Sequence, residues 1–362
     1  MRFIPLGGYL GAGKTTAMLK AAGCLELAGE RVAVITNDQG TDLIDTQMAR
    51  ERVANVGEVT GGCFCCRFED LASTIIRLGK ENDPTVILGE AVGSCTDLQS
   101  TVVRPLRKYY GDAIDVSPLT VMVDPLRYRL FASEWLADAV ETDLAYLYRH
   151  QLEEADILAL NKIDLLDSGA TTEISKDLQR HFPQAHVVAV SAFKSIGLDE
   201  LIRLWTGLND SSDRRVDVDY SRYGTAEAEL AWTNQVFELR SDEHKRFVAV
   251  QWVDAFLASL GGACQLHQCA VGHIKVRVST LDGTTKASLA NDESPPTFDE
   301  QHWAETDRAT VTVNARVRCT PENLERLLRG AIAAASDPLG VRAEGNVGKV
   351  FSPGWPVPVH RL

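Results

Sequence analysis

Gly7-Gly8-Tyr9-Leu10-Gly11-Ala12-Gly13-Lys14-Thr15-Thr16, near the start of the 362-residue chain, decides the fold. The stretch fits the spacing G-x-x-x-x-G-K-[ST], with Gly8, Gly13, Lys14 and Thr15 at the fixed positions. Glycines let backbone N–H groups curl around a phosphate, and a following helix points its positive end at the same anion. Lys14 is placed to neutralise the outer phosphates of a nucleoside triphosphate, and the Thr15 hydroxyl to complete the shell of a Mg²⁺ ion. The plain alternative is a glycine-rich turn with a chance lysine. The apolar run Phe3, Ile4, Leu6 before it and the helical pattern over 16–27 after it favour the phosphate reading.

Working outward, short β-branched runs alternate with helical stretches up to about residue 208. The pattern predicts strands over 31–36, 85–88, 119–123, 156–160 and 186–190, with helices over 68–78, 97–108, 135–154, 172–181 and 198–205. Most of these runs are continuously apolar, as in strands buried on both faces. The expected fold is therefore α/β: a P-loop NTPase with a mostly parallel sheet and helices on both faces. Residues 209–224 are polar and aperiodic and predict a linker. A smaller α+β domain, ferredoxin-like in its order, is expected beyond it: strands over 235–239, 274–279 and 310–318, and helices over 243–260 and 321–335. Residues 281–307 predict a long exposed loop, and 351–362, with three prolines, an extended tail. The division expected is 1–208, linker 209–230 and 231–362.

A formal charge of −13 and a pI near 5.1 argue against nucleic acid or an anionic membrane as partner. No stretch has the length and apolarity of a membrane span, and the first residues lack the features of a secretory signal. A cytoplasmic setting is expected, where clustered thiols of the eight cysteines serve metal or redox chemistry more often than disulfides.

Two further motifs carry chemistry. Asn161-Lys162-Ile163-Asp164 follows the strand at 156–160 and fits N-K-x-D, in which the Asp164 carboxylate accepts from guanine N1–H and N2–H. Adenine offers no matching donors, so a site built around that acceptor rejects it. Ser191-Ala192, after the next strand, is expected to meet the base oxygen. Gly61-Gly62-Cys63-Phe64-Cys65-Cys66 gathers three thiols within four residues. In an extended backbone Cys63 and Cys65 share a side and Cys66 points away; the paired glycines would bend the loop so that all three converge. Three thiolates suit Zn²⁺, and also Co²⁺, Ni²⁺ or Cu⁺. Buried structural cysteines or a thiol redox switch remain the alternatives. Cys264-Gln265-Leu266-His267-Gln268-Cys269 is a weaker candidate, with packing into a turn the simpler explanation. Cys24, Cys95 and Cys319 stand alone and are expected to be structural.

Taken together, GGYLGAGKTT, Asn37-Asp38-Gln39-Gly40, GGCFCC, Glu90-Ala91-Val92-Gly93, Val123-Asp124-Pro125, Gln151-Leu152-Glu153-Glu154-Ala155-Asp156 and NKID occur in the order seen in CobW-type GTPases. Over roughly the first 200 residues the chain resembles this family, whose relatives are the UreG and HypB metallochaperones. The resemblance implies a dimer-prone GTP hydrolase with slow turnover. It also implies a transition metal bound at C-x-C-C, zinc foremost and cobalt or nickel next, and delivered to a client metalloprotein. A GTPase chaperone for assembly or reactivation of a cobalt- or corrinoid-dependent enzyme is the alternative. By this likeness Gly8, Gly11, Ala12, Gly13, Lys14, Thr15, Thr16, Gly93, Asn161, Lys162, Asp164, Ser191 and Ala192 are the nucleotide residues. Thr15, Asp38 and Glu90 are the Mg²⁺ residues, Lys14, Thr15 and Glu90 the catalytic ones, and Cys63, Cys65 and Cys66 the metal ligands. The chain departs from the family at Val92, where a hydroxyl residue is usual. The family's Pro- and His-containing motif is also missing at Val236-Phe237-Glu238-Leu239-Arg240-Ser241, and there is no histidine-rich tract.

Overall fold

The structure, a computed structural model, describes residues 1–38, 44–136, 140–207, 216–241, 245–291 and 294–362. Gln39 and Gly40 of the Asn37-Asp38-Gln39-Gly40 stretch, 209–215 of the expected linker, and Glu243 at the expected helix start lie outside the described residues. The chain divides into two compact units: Met1–Gln39, Asp45–Ala226 and Trp355–Leu362 form one, and Gly40–Ile44 with Glu227–Gly354 the other.

In the first unit the strands are β1 (Arg2–Gly7), β2 (Val32–Asn37), β3 (Asn55–Val59), β4 (Val86–Glu90), β5 (Asp115–Val116), β6 (Thr120–Val123), β7 (Ile157–Leu160) and β8 (His186–Ala189). They form one parallel sheet in the order β3-β2-β4-β1-β6-β7-β8, with β5 also beside β1. Residues of β2, β4, β6 and β7 are buried without alternation, as a sheet covered on both faces requires. The helices are α1 (Lys14–Leu27), α2 (Ile44–Arg52), α3 (Phe68–Asn82), α4 (Arg104–Tyr110), α5 (Pro125–Leu136), α6 (Asp143–Glu153), α7 (Ser168–His181), α8 (Leu198–Gly207) and α9 (Tyr220–Ala228).

Three local expectations change. The helix expected over 135–154 is two, because Thr142 caps α6 by accepting the Ala145 N–H. β3 has only two fully buried residues in five, so its weak apolar signal did not announce a strand. Within the expected linker, Asp219 accepts the Ser221 N–H and starts α9, whose Arg222 pairs with Asp143 and Glu141. The polarity of that stretch thus serves ion pairs inside this unit.

The second unit holds β9 (Leu230–Ser241), β10 (Phe247–Val248), α10 (Ala249–Leu266), β11 (Ala270–Ser279), β12 (Thr284–Leu289), β13 (Thr297–Glu300), β14 (Glu305–Thr306), β15 (Arg308–Arg318), α11 (Pro321–Ser336) and β16 (Val341–Phe351). The antiparallel order β13-β12-β11-β15-β9-β16 is a ferredoxin-like β-α-β-β-α-β arrangement with an added hairpin. Thr320 caps α11 by accepting the Asn323 N–H, with Pro321 in the first turn as expected. The expected loop 281–307 is corrected: buried Thr285, Ala287 and Leu289 alternate along β12, which pairs back on β11.

Candidate nucleotide and metal site

Ligands of parallel sheets sit at the carboxyl ends of strands. Strand order here puts the phosphate loop, after β1, between two groups of loops. Those after β4, β2 and β3 lie to one side, and those after β6, β7 and β8 to the other.

The phosphate loop leaves β1 through Gly8, Gly11 and Gly13, all at positive φ. At Gly13 (φ 88°) a Cβ would lie 2.4 Å from Asn161 Nδ2, so the loop and the N-K-x-D turn are in direct contact there. The Asn161 amide donates to Ala12 O at 2.8 Å. At the start of α1, Lys14 Nζ donates to Gly8 O and Tyr9 O at 2.7 and 3.2 Å. Thr15 Oγ1 donates to Glu90 Oε2 at 2.9 Å, and Thr16 is half-buried in the same turn. Mg²⁺ takes hard oxygen donors, and this hydroxyl and carboxylate are a fitting pair for it. Asp38 follows the end of β2, its N–H donating to Val59 O at 3.2 Å.

On the other side, Lys162 takes φ 60° and its ammonium meets Asp124 Oδ2 at 2.6 Å. Asp124 Oδ1 accepts the N–H groups of Leu126 and Arg127, fixing that carboxylate to the start of α5. Ser191 Oγ donates to Asp164 Oδ1, and the Ala192 N–H donates to Asn161 Oδ1 at 2.9 Å. The turn is thereby held with the Asp164 carboxylate in place. The hold of Asp124 on Lys162 joins residues 38 positions apart and is visible only in three dimensions.

The three loop thiols converge. Their Sγ atoms are 2.7 Å (Cys63–Cys65), 3.3 Å (Cys63–Cys66) and 3.8 Å (Cys65–Cys66) apart. Among the described residues they are the one Cys/His/carboxylate group whose ligand atoms all lie within 4.8 Å of one another. Convergence comes from a bend, as expected, and the bend is a helical turn: the N–H groups of Cys66 and Arg67 both donate to Cys63 O. Gly61 (φ 74°) and Gly62 (φ 158°) lead into it. Asn37, the last residue of β2, staples the turn. Its amide donates to Val59 O and Gly62 O at 3.0 and 2.8 Å, and its oxygen accepts the Phe64 N–H at 3.0 Å.

Hydrogen bonds from Cys65 foremost, then from Cys66 and Cys95, hold the Cys63 thiol well below its usual value. The reciprocal bond to Cys63 pushes Cys65 well up, with burial adding to it, and raises Cys66 to about 11. Of the three sulfurs, Cys63 is thus the one that loses its proton most readily, because the others hydrogen-bond to it. A tetrahedral Zn²⁺ site with Zn–S of about 2.3 Å has sulfur–sulfur edges of about 3.8 Å, so the Cys65–Cys66 edge already fits, and the others open by about 0.5 Å (Cys63–Cys66) and about 1.1 Å (Cys63–Cys65). Half-buried Cys66 also accepts the Val357 N–H at 3.3 Å, and Val359 N–H donates to Cys65 O, so Trp355–Leu362 lies along the turn.

Cys95, expected to stand alone, lies near enough to Cys63 and Cys65 for its thiol to shift theirs, but it falls outside the group whose ligand atoms all lie within 4.8 Å of one another. The sequence carried no sign of this nearness, since thirty residues and a helix intervene. Its loop, from Glu90 to Gln99, is gripped from the end of α6. Gln151 Nε2 donates to Gly93 O and Cys95 O, while Glu154 accepts Thr96 Oγ1 and the Gln99 N–H. In the second unit, Cys264 and Cys269 are buried in the core beside Cys319, and His267 contributes only its carbonyl to Cys269. The C-x-x-H-x-C stretch therefore assembles no ligand set.

Residues 3–189 match the family model described as CobW/HypB/UreG, nucleotide-binding domain. The chain belongs to the CobW/HypB/UreG family. Among curated members, the zinc chaperone CobW of Pseudomonas aeruginosa is 26% identical over 58% of this chain and 60% of its own length. The zinc chaperone YeiR of Escherichia coli is 30% identical over 49% and 50%. The chain thus spans between half and three-fifths of these relatives. Of solved structures, Zn(II)-bound YjiA from E. coli aligns over 91% of the chain and 98% of its own, at 14% identity and a TM-score of 0.37. The matched residues, 3–189, are those of a nucleotide-binding domain and fall within the first unit except for Gly40–Ile44.

Proposed function

We propose that this protein is a GTP-hydrolysing metal carrier. It takes up a transition metal, Zn²⁺ foremost with Co²⁺ or Ni²⁺ as rivals, at Cys63, Cys65 and Cys66 and passes it to a client protein under nucleotide control. The reading rests on one observation: the three sulfurs converge on a turn fastened by Asn37 to the strand next to the one bearing Glu90, and Glu90 is bonded to Thr15 of the phosphate loop. The names of the CobW, YeiR and YjiA relatives agree with it.

In this reading Lys14 and the N–H groups of the loop from Gly8 to Thr16 bind the phosphates, and Asp164, oriented by Ser191, selects guanine. A Mg²⁺ ion, held by Thr15 with Glu90 and Asp38, would supply charge neutralisation at the outer phosphates. Glu90, at the end of β4, is also the residue that would orient the attacking water. Loss of the terminal phosphoryl group releases Asp38 and the loop after β4, and the thiol turn, fastened by the neighbouring Asn37, changes with it. Transfer to a client and a homodimer belong to the same proposal. Competitive metal titration of the reduced protein, with a non-hydrolysable GTP analogue and with GDP, tests it. Wild type is expected to show different affinities in the two states and Cys65→Ser to lose tight binding. Equal affinities in all nucleotide states would remove the carrier reading.

A further inference from the structure

Residues Trp355–Leu362 belong to the first unit, and two of their N–H groups end on the thiol turn. Val357 N–H donates to Cys66 Sγ at 3.3 Å, and Val359 N–H to Cys65 O at 3.0 Å. Pro356 and Pro358 carry no N–H, so every backbone donor from 356 to 359 is spent on the turn. The Val357 and Val359 side chains are 72% and 48% exposed, so hydrogen bonds rather than buried apolar surface hold these two residues down. The far end of the segment is tied to the loop after β4 and to the helical turns that follow it. Arg361 Nε donates to Asp97 Oδ2 at 2.8 Å, Leu362 N–H to Ser100 O at 2.9 Å, and Arg104 Nη1 to Leu362 O at 2.7 Å. Asp97, in the same loop as Glu90, is buried and also accepts the Tyr220 hydroxyl at 2.8 Å.

We propose that residues 355–362 are a strap over the metal site, latched by Arg361 to Asp97, whose grip depends on the nucleotide bound. This rests on the metal-carrier reading and deepens it by naming what regulates release. Cys63 and Cys65 are buried and Cys66 is half-buried, so a metal on the three sulfurs reaches solvent past Cys66, beneath Val357. An N–H bond to a ligand sulfur also fixes the direction in which that sulfur points. With the terminal phosphoryl group present, the loop after β4 is ordered, Asp97 stays in place and the strap stays shut. When that group is lost the loop relaxes, the Arg361–Asp97 latch slackens, and the strap lifts from Cys66. The metal leaves as the ion it arrived as, and the thiolates it frees take protons from solvent.

The test uses the full chain, reduced and loaded with Zn²⁺ alone, and follows transfer of the ion to a chromogenic chelator. Wild type is expected to release Zn²⁺ more slowly with a GTP analogue than with GDP. Arg361→Ala loses a hydrogen bond to a charged group, so its release with the analogue should be about tenfold faster and approach the GDP rate. Val359→Pro, which removes the N–H bonded to Cys65 O, should do the same, and Arg361→Lys should keep most of the wild-type difference. Nucleotide affinity as in wild type shows that each variant is folded. Amide exchange of 355–362 in wild-type protein, expected to be slower with the analogue, gives a reading that needs no variant. Equal exchange in the two states, wild-type release rates in a folded Arg361→Ala, or acceleration by the same factor in both states overturns the strap and leaves the carrier intact. Failure of wild type to take up Zn²⁺, or equal affinity in every nucleotide state, overturns the carrier reading itself.

Discussion

Replacing Asn37 by alanine should open the thiol turn without unfolding the protein. Three hydrogen bonds converge on this buried side chain: two donated to Val59 O and Gly62 O, one accepted from the Phe64 N–H. Each is worth about 1 kcal/mol net, so about 3 kcal/mol of the turn's closing free energy is removed. A factor of ten per 1.4 kcal/mol converts this to a rise of about 100-fold in the open population. Cys63 and Cys65 are almost fully buried and react with a thiol reagent only through open forms, so their labelling rate tracks that population. The assay is alkylation of metal-free protein followed by peptide mass analysis. Exposed Cys24 supplies the rate of an unprotected thiol, and Cys264, in the core of the second unit, reports global unfolding. The expected result is labelling of Cys63 and Cys65 about 100-fold faster, with Cys24 and Cys264 unchanged. A rise of less than about threefold would refute the assignment of Asn37 as the staple, because even one lost bond should produce more. Acceleration of Cys264 to the same extent would place the loss in the whole molecule rather than in the turn.

Other expectations concern the nucleotide and the proton. Lys14→Ala should remove GTP hydrolysis and weaken triphosphate binding more than diphosphate binding, with the melting temperature of the nucleotide-free protein within a few degrees; full turnover would dismiss the phosphate-loop assignment. Asp164→Asn exchanges an acceptor for a donor facing guanine N1–H and N2–H, so preference for GTP should fall by about 100-fold or more while xanthosine triphosphate, which carries a carbonyl at that edge, gains. Competition binding measures both, and an intact preference for GTP over ATP would sink the base-contact reading. Metal uptake must displace protons from Cys65 and Cys66, whose values are raised, Cys66 to about 11 and Cys65 by its bond to Cys63. Both are protonated at neutral pH, so affinity increases with pH, the logarithm of the Zn²⁺ constant climbing by about 2 per pH unit between about pH 6 and 8. A flat profile would mean that these thiols are not ligands.

The first unit was legible because its chemistry is written in contiguous words at strand ends. GGYLGAGKTT and NKID each demand a local backbone shape, and apolar runs before them supply the strands. What escaped was the weakly apolar or the distant. β3 exposes part of three of its five residues, and β16 carries glycine and charge among its valines, so neither offered a clean period. Thr285, Ala287 and Leu289 did alternate, but Asp282-Gly283 and Pro295-Pro296 on either side drew the stretch toward a loop. Convergence of Cys63, Cys65 and Cys66 followed from their spacing, whereas its cause did not: the helical turn depends on Asn37, which belongs to another strand. Cys95 was out of reach for the same reason. Its nearness to Cys63 and Cys65 depends on the position of β4 within the sheet, and one sequence contains no term for that.

Strand order then gives the proposed coupling a physical route. β4 lies between β1 and β2, so its carboxyl end is a neighbour of the phosphate loop on one side and of the Asn37 staple on the other. Glu90 bonds Thr15 at the start of the loop after β4, and the Cys95 thiol further along that loop is near enough to shift those of Cys63 and Cys65. Between them, Gln151 binds Gly93 O and Cys95 O with one amide group, which makes the intervening residues move as a piece. A displacement begun at the phosphate is therefore not absorbed by a slack loop before it reaches the sulfurs. Because coupling between two binding sites is reciprocal, a metal that binds the Cys63–Cys66 turn more tightly in one nucleotide state must in turn favour that nucleotide. Metal-loaded protein should thus bind that nucleotide more tightly than metal-free protein does.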